Sequence, residues 1–446
     1  MKKIIIIGNG ISGITAARHI RKQSNCEITV ISGETDFFFS RTALMYIYMG
    51  HMKFEQTKPY EDNFWETNEI HLVRDIVIGI NADERTVSLE SGTSMKFDDL
   101  IISVGSKPNK FGWPGQDLNG VQGLYSYQDL CNMELYTRDV SGAVIVGGGL
   151  IGIEMAEMLR SKQIPVTFLV RESSFWNNVL PPEESDMINR HIAEHDVDLR
   201  LSTELNEIIG DTNGRAQRVI TSKGEEIECG FVGLTAGVRP NIGFLEQSDI
   251  ETNRGVLVNE YFETNIPGVY AIGDCAEFHK PQPGRKAIEQ VWYTGRMQGE
   301  TLAHTICGTK TAYRPGNWFN SAKFFDIEYQ VYGDVKNKYT EDEEHLYWEH
   351  PSGKQAVRLV YEAGSQKLRG VNLMGIRYRH EVCDHWMKKG YTIRQVLMQL
   401  KKANFDPEFH TEYEQEIINI YNQKHKENPL KSFEKHNVFS FISAHK

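Results

Sequence analysis

The chain has few cysteines and keeps them apart. Its 446 residues hold six, Cys26, Cys131, Cys229, Cys275, Cys307 and Cys383, and no two are spaced for a CxxC or CxxxxC redox pair. That excludes a local dithiol motif, and the scatter fits reduced, mostly buried thiols. Cys383 lies in "RHEVCDHW" near His380 and His385, which offers too few soft ligands for zinc, so no metal is expected. Long apolar runs are missing as well, and none approaches the ~20 residues of a bilayer span. "MKKIIIIGNG" has four isoleucines before a glycine turn, short of a secretory h-region of roughly 7–15 residues. It reads as a first strand, and the expected location is the cytoplasm. Positive charge is scarce: the formal net charge of −11 disfavours general nucleic-acid binding. The basic stretch "KHKENPLKSFEKHNVF" reads as a solvated tail, with a surface for an acidic partner as the alternative. Low-complexity segments are absent.

What remains is the composition of a soluble globular protein, 40% hydrophobic and 24% charged, with room for about three domains. "KKIIIIGNGISGITAARHI" is an apolar strand, a glycine turn and a helix, and Gly8, Gly10 and Gly13 fit GxGxxG. The first glycine permits the tight turn, the second lets a pyrophosphate approach the backbone, and the third lets helix and strand pack closely. Free N–H groups at the helix start then hold the phosphates. A lone GxGxxG is weak evidence; the strand–turn–helix context strengthens it. After the strand "CEITVIS" comes Glu34. An acid there hydrogen-bonds a ribose hydroxyl, although Glu34 stands later than usual, and a simple loop acid is the alternative.

A second copy starts at "GAVIVGGGLIGIEMAEML", with Gly147, Gly149 and Gly152. Its next strand, "PVTFLVRESS", ends at Val170, where an acid would favour NAD, and Arg171 and Glu172 follow. A guanidinium suits a 2′-phosphate, so NADPH is favoured over NADH as the hydride donor. The competing reading of Arg171 is a surface charge. Far downstream, "GVYAIGD" is an apolar strand ending in Gly273 and Asp274. An aspartate at such a strand end can accept hydrogen bonds from a sugar-alcohol chain.

Together these motifs resemble the FAD-dependent pyridine-nucleotide oxidoreductases of the glutathione-reductase type, in order, over roughly residues 1–335. "LIISVGSKPN" (100–109), which contains Gly105, is similar to that family's ATGxxP turn, with Ser103 and Val104 as departures. "LTAGVRPN" (234–241) is similar to its GxxPN turn. The resemblance implies an α/β fold of two interleaved Rossmann-like domains plus a C-terminal α+β domain. The expected FAD domain covers 1–115 and 246–312, the NAD(P) domain 116–245, and an interface domain with an extended tail 313–446. The first fingerprint and Asp274 would bind FAD, the second NAD(P)H.

Disulfide reductases of this family need a thiolate pair against the flavin, and related oxidases and peroxidases use one cysteine cycling through a sulfenic acid. "DFFFSRTALMYIYMG" (36–50) offers Ser40, Arg41 and Thr42 instead. It resembles the "Y-x-R-x-x-L" stretch of ferredoxin and rubredoxin reductases, with Phe39, Arg41 and Leu44 at the key places. Arg41 would contact FAD, or else form an ordinary salt bridge. Tyr46 stands near the flavin where a lysine is expected. "EQVWYTGRMQG" (289–299) and "NWFNSAKFFDIEYQVYG" (317–333) resemble two further segments of that branch. Trp292, Trp318 and Phe319 would border the cofactor; core packing is the alternative for the tryptophans. Glu154 matches the acid beside the nicotinamide, against a helix-first-turn carboxylate favoured by the dipole.

Past residue 336 the resemblance thins. "EDEEH" reads as an exposed turn, "HLYWEH", "KQAVRLVYE" and "LRGVNLMGI" as strands, and 380–405 as helix broken at Gly390. Tyr413, Ile417, Ile418 and Tyr421 form a helix face, and Phe439 and Phe441 a short strand or docking segment. The expected activity is hydride transfer from NAD(P)H to FAD, then electron transfer to a small carrier protein or small acceptor. The alternatives are an oxidase, peroxidase or small-disulfide reductase using Cys275, and a redox-sensing interaction protein. A C-terminal interface domain often supports a homodimer in this class.

Overall fold

The computed structural model describes residues 1–406, 408 and 411–431. The segment expected at Phe439 and Phe441 lies outside them. The chain divides into two compact units. The first is Met1–Asn177 with Ile188–Gly316, and the second is Asn178–Met187 with the described residues from Asn317 on.

In the first unit the chain runs β1 (Lys3–Ile7), α1 (Ile11–Gln23), β2 (Glu27–Ser32), α2 (Leu44–Tyr48), β3 (Ile70–Arg74), β4 (Asp99–Ile102) and β5 (Ser106–Pro108). It continues through β6 (Val121–Gln122), α3 (Tyr127–Tyr136), β7 (Ala143–Val146), α4 (Leu150–Ser161), β8 (Val166–Val170) and β9 (Val197–Leu201). β10 (Phe231–Leu234), β11 (Val238–Pro240), β12 (Val269–Ala271) and α5 (Trp292–Ile306) complete the frame.

Two parallel five-stranded sheets result, ordered β12-β4-β1-β2-β3 and β9-β8-β7-β10-β6. Each puts its glycine-fingerprint strand at the centre. The register is Ile5↔Thr29 and Ile5↔Leu100 around β1, and Ile145↔Phe168 and Ile145↔Gly233 around β7. The isoleucine run follows from this position. Ile4 and Ile6 pack with Ile14, Ala17 and Ile20 of α1, whereas Ile5 and Ile7 pack on the opposite face with Leu100, Ile102 and Val269. A strand buried on both faces needs apolar residues without alternation, and each buried isoleucine contributes roughly 1.5–3 kcal/mol.

The second unit is built on an antiparallel sheet of β13 (Phe319–Phe324), β14 (Ile327–Gly333), β15 (Glu343–Glu349), β16 (Ala356–Glu362) and β17 (Leu368–Met374), ordered β13-β14-β17-β16-β15. Among the described residues three α-helices follow, α6 (His380–Lys388), α7 (Ile393–Leu397) and α8 (Glu414–Lys424), and Gly390 breaks the first two apart at φ +64°. Most of the expected helix face is buried: Ile417, Ile418 and Tyr421 join Trp348, Leu359, Leu373 and Trp386 in one core, while Tyr413 caps α8 and packs against it half-buried. "EDEEH" is only partly an exposed turn. Glu343 opens β15 and is buried, held by Lys336, His345 and Arg369. Local composition hid this, because the two cations that permit its burial, Lys336 and Arg369, lie outside the segment.

Arg358 of β16 and Glu184 are each 1% exposed. Arg358 Nε and Nη2 donate to the two Glu184 oxygens, both at 2.7 Å, and Nη2 also reaches Glu183 at 2.8 Å. Nη1 donates to the Tyr339 hydroxyl at 3.0 Å. Among the described residues no helix is long and apolar enough to cross a membrane.

Candidate functional site

β1 delivers the chain to Gly8, whose φ of +107° lies in the left-handed region that side chains resist. A Cβ there would also sit 2.3 Å from the Ser103 carbonyl oxygen, and one at Gly13 would sit 2.2 Å from Gly8 O. Gly10 differs. No heavy atom lies within 4 Å of its Cβ position, and it caps α1 without a side chain to accept from the first-turn amides. Open space in front of a helix N-terminus of thirteen residues suits a phosphate. The second loop repeats the construction. Gly147 has φ +116° with Ala236 N 2.7 Å from its Cβ position, a Cβ at Gly152 would sit 2.5 Å from Gly147 O, and Gly149 faces open space as the cap of α4.

One pair of residues escaped the sequence reading. The Ser103 hydroxyl lies 2.9 Å from Ile7 O and 3.2 Å from Gly8 O. The Thr235 hydroxyl lies 3.0 Å from Val146 O and 3.1 Å from Gly147 O. Each ties its glycine turn to the neighbouring strand. Both residues open matching stretches, "SVGSKPN" and "TAGVRPN", which pair antiparallel as β5 and β11. Asn109 N donates to Gly237 O at 3.1 Å and Asn241 N to Gly105 O at 3.0 Å, so Gly105 sits at a reciprocal crossing. The internal repeat was the available signal. Ser103, read as a departure from a family turn, has the same role as Thr235.

Around Arg41 a polar network links distant segments. Its Nη1 donates to Glu34 Oε1 at 2.7 Å and to Tyr125 O at 2.5 Å, and Nη2 donates to Glu34 Oε2 at 2.5 Å. Tyr127 N also donates to Glu34 Oε1, at 2.9 Å. These bonds use three of the five guanidinium N–H groups and leave Glu34 one lone-pair direction. The two residues are therefore held as a pre-oriented pair, not as separate charges. Arg41 lies over the Tyr125 ring at 4.6 Å, and the Tyr125 hydroxyl donates to Asp274 Oδ2 at 3.1 Å. The Ser106 hydroxyl reaches the same oxygen at 3.2 Å, and Gln290 Nε2 reaches Ser106 Oγ at 2.8 Å. Burial raises the Asp274 carboxyl above its ordinary value, while the Tyr125 and Ser106 hydrogen bonds and the Arg41 charge oppose it. Gly273 N donates to Gln298 Oε1 at 2.6 Å. Ser106 lies in "LIISVGSKPN" and Gln290 and Gln298 in "EQVWYTGRMQG", segments already marked in the sequence, whereas Tyr125 has no motif around it.

α4 has no acid in its first turn, so Glu154 stands beyond the reach of a simple dipole capping role. Burial, with Glu157 adding to it, pushes its carboxyl up to about 7. Arg171 is exposed beyond the end of β8 and donates to Glu172 at 2.9 Å. Tyr46 lies half-buried on α2, stacked on His51 at 6.2 Å. Trp292 opens α5 and meets Tyr293 edge-on at 5.4 Å. Cys275 is fully buried; its thiol donates to Ile272 O at 3.3 Å and Ile102 O at 3.5 Å, and burial pushes it up to about 12. Such a thiol is not a nucleophile near neutral pH.

Trp318 and Phe319 belong to the second unit. Gly333 N donates to Trp318 O at 2.7 Å, and the Phe319 ring lies 4.3 Å from that of His380, against that unit's core.

The family model described as pyridine nucleotide-disulphide oxidoreductase matches residues 2–299. The chain is 27% identical over 313 residues to an NAD(P)H nitrite reductase of Bacillus subtilis (strain 168), covering 70% of this chain and 38% of that protein. It is 28% identical over 326 residues to rhodocoxin reductase of Rhodococcus erythropolis, covering 72% of this chain and 76% of that one. A solved ferredoxin reductase for the CYP199A2 system of Rhodopseudomonas palustris shares the fold, with TM-score 0.76 at 22% identity over 84% of this chain and 91% of that one. The chain thus spans well under half the length of the nitrite reductase it matches.

Proposed function

The chain belongs to the pyridine nucleotide-disulphide oxidoreductase family, and from that premise we propose that it is an FAD-dependent NAD(P)H oxidoreductase that passes electrons to a small carrier protein or small acceptor without a thiol relay. The observation that carries this reading is the pair of equivalent phosphate loops, each open at its middle glycine, in a unit where Cys275, next to Asp274, is buried with its thiol pushed up to about 12. Relatives named as reductases of the rhodocoxin kind support the carrier as acceptor.

In this reading residues 1–115 and 246–312 hold FAD, residues 116–245 hold the nicotinamide cofactor, and 313–446 form an interface domain. The α1 amides facing Gly10 hold the FAD pyrophosphate, Glu34 takes a ribose hydroxyl with its free lone pair, and Asp274 accepts from the ribityl chain. The α4 amides facing Gly149 hold the second pyrophosphate. Arg171, exposed and hydrogen-bonded to its neighbour Glu172, turns to a 2′-phosphate. Glu154 holds a proton beside the nicotinamide and releases it near neutral pH. Tyr46 and Trp292 exclude water from the reacting face. FAD, when bound, accepts the hydride and supplies the single-electron steps to the acceptor.

Anaerobic rapid mixing of the holoprotein with NADPH and with NADH tests the proposal. The flavin band bleaches with both, faster at equal low concentration with NADPH. No bleaching with either nucleotide would overturn it.

A further inference from the structure

The C-terminal ends of α1 and α5 bring together two cysteines from opposite ends of the first unit. Cys26 follows the Ser24 cap of α1, and Cys307 caps α5. The helices pack tightly, since a Cβ at Gly299 would lie 2.5 Å from Ser12 O, and Ile14, Ala17 and Ile20 share a core with Leu302, Ala303 and Ile306. Ile20 O accepts from Ser24 Oγ at 3.0 Å and from Cys307 Sγ at 3.9 Å. Ser24 Oγ in turn lies 3.5 Å from Cys26 N, and Arg21 Nη2 fixes the Cys26 carbonyl at 2.7 Å. Both thiols are half-buried against the same core. Burial raises the Cys307 thiol; Cys26 acts in the same sense, and Ser24 and Lys2 in the other. The remaining cysteines offer no such arrangement: Cys229, Cys275 and Cys383 are buried, and Cys131 is exposed on α3.

We propose that Cys26 and Cys307 form a reversible intramolecular disulfide by exchange with a low-molecular-weight disulfide. One cysteine thiolate attacks the small disulfide, whose S–S bond breaks and releases one small thiol. The second cysteine thiolate then displaces the other small thiol from the mixed disulfide. The protein loses two electrons and two protons, and both pass to the two released thiols. The bond staples the far ends of two helices whose near ends carry Gly10 and Trp292.

Oxidised glutathione is the probe. The holoprotein is incubated with it, alkylated and digested without reduction. The expected map joins the Cys26 and Cys307 peptides, leaves the other four cysteines alkylated, and shows two released thiols per chain. The joined peptide persists in Cys131→Ser and disappears in both Cys26→Ser and Cys307→Ser. A wild-type map in which Cys26 and Cys307 are both alkylated, or each carries its own glutathione, overturns the proposal. The wild-type map does not depend on any variant folding.

Discussion

At Glu154 the fold holds a carboxyl that releases its proton at about 7. The cause is burial, so the group is strained when charged and relaxed when protonated. The sign for stability follows: the native state binds this proton more tightly than the unfolded chain, so the group's contribution falls as pH rises from the ordinary carboxylate range through about 7. Glu154→Gln removes that fall and flattens the pH dependence of flavin reduction near 7, which rapid mixing across a pH series reads directly. Gly149 gives a cleaner separation of fold from function. Nothing lies within 4 Å of its Cβ position, whereas Gly147 would clash with backbone. Gly149→Val should therefore leave the unfolding midpoint unchanged and raise the KM for the nucleotide by at least about tenfold, which is ~1.4 kcal/mol. Gly147→Val should lower the soluble yield of folded protein.

The two loop–helix elements were legible in the sequence because their constraints are local. A buried central strand requires an unbroken apolar run, and a turn with φ +107° or +116° requires glycine. The turn hydroxyls were not legible in the same way. Ser103 and Thr235 act across a sheet on residues far away in the chain, and only their shared position in a repeat marks them. The same holds for Tyr125, whose hydroxyl reaches Asp274 through tertiary packing alone. It holds too for Glu343, which looked like part of an exposed acidic turn until its cations came into view. Thr235→Val keeps the side-chain shape and deletes the hydroxyl. It should cost about 1 kcal/mol, seen as a lower denaturation midpoint, and weaken nucleotide binding more than FAD retention. An equal loss of FAD would show that the two loops are not separable.

Over the whole molecule, the nucleotide fingerprints lie in the first unit, while the second is organised around a buried charge. Arg358→Met leaves Glu184, 1% exposed, without its charge partner and with Asn372 Nδ2 still donating at 3.2 Å. That should destabilise by roughly 3–5 kcal/mol, and replacing Glu184 with leucine as well should recover much of the loss. Denaturant unfolding of the single and double variants reads both. The claim on which the account rests is that electrons pass through flavin alone. Anaerobic titration of the holoprotein with NADPH to its end point, with accessible thiols counted before and after in denaturant, tests it most directly. The account predicts one NADPH consumed per FAD and no new thiols. Two NADPH per FAD, with two thiols appearing on reduction, would contradict it.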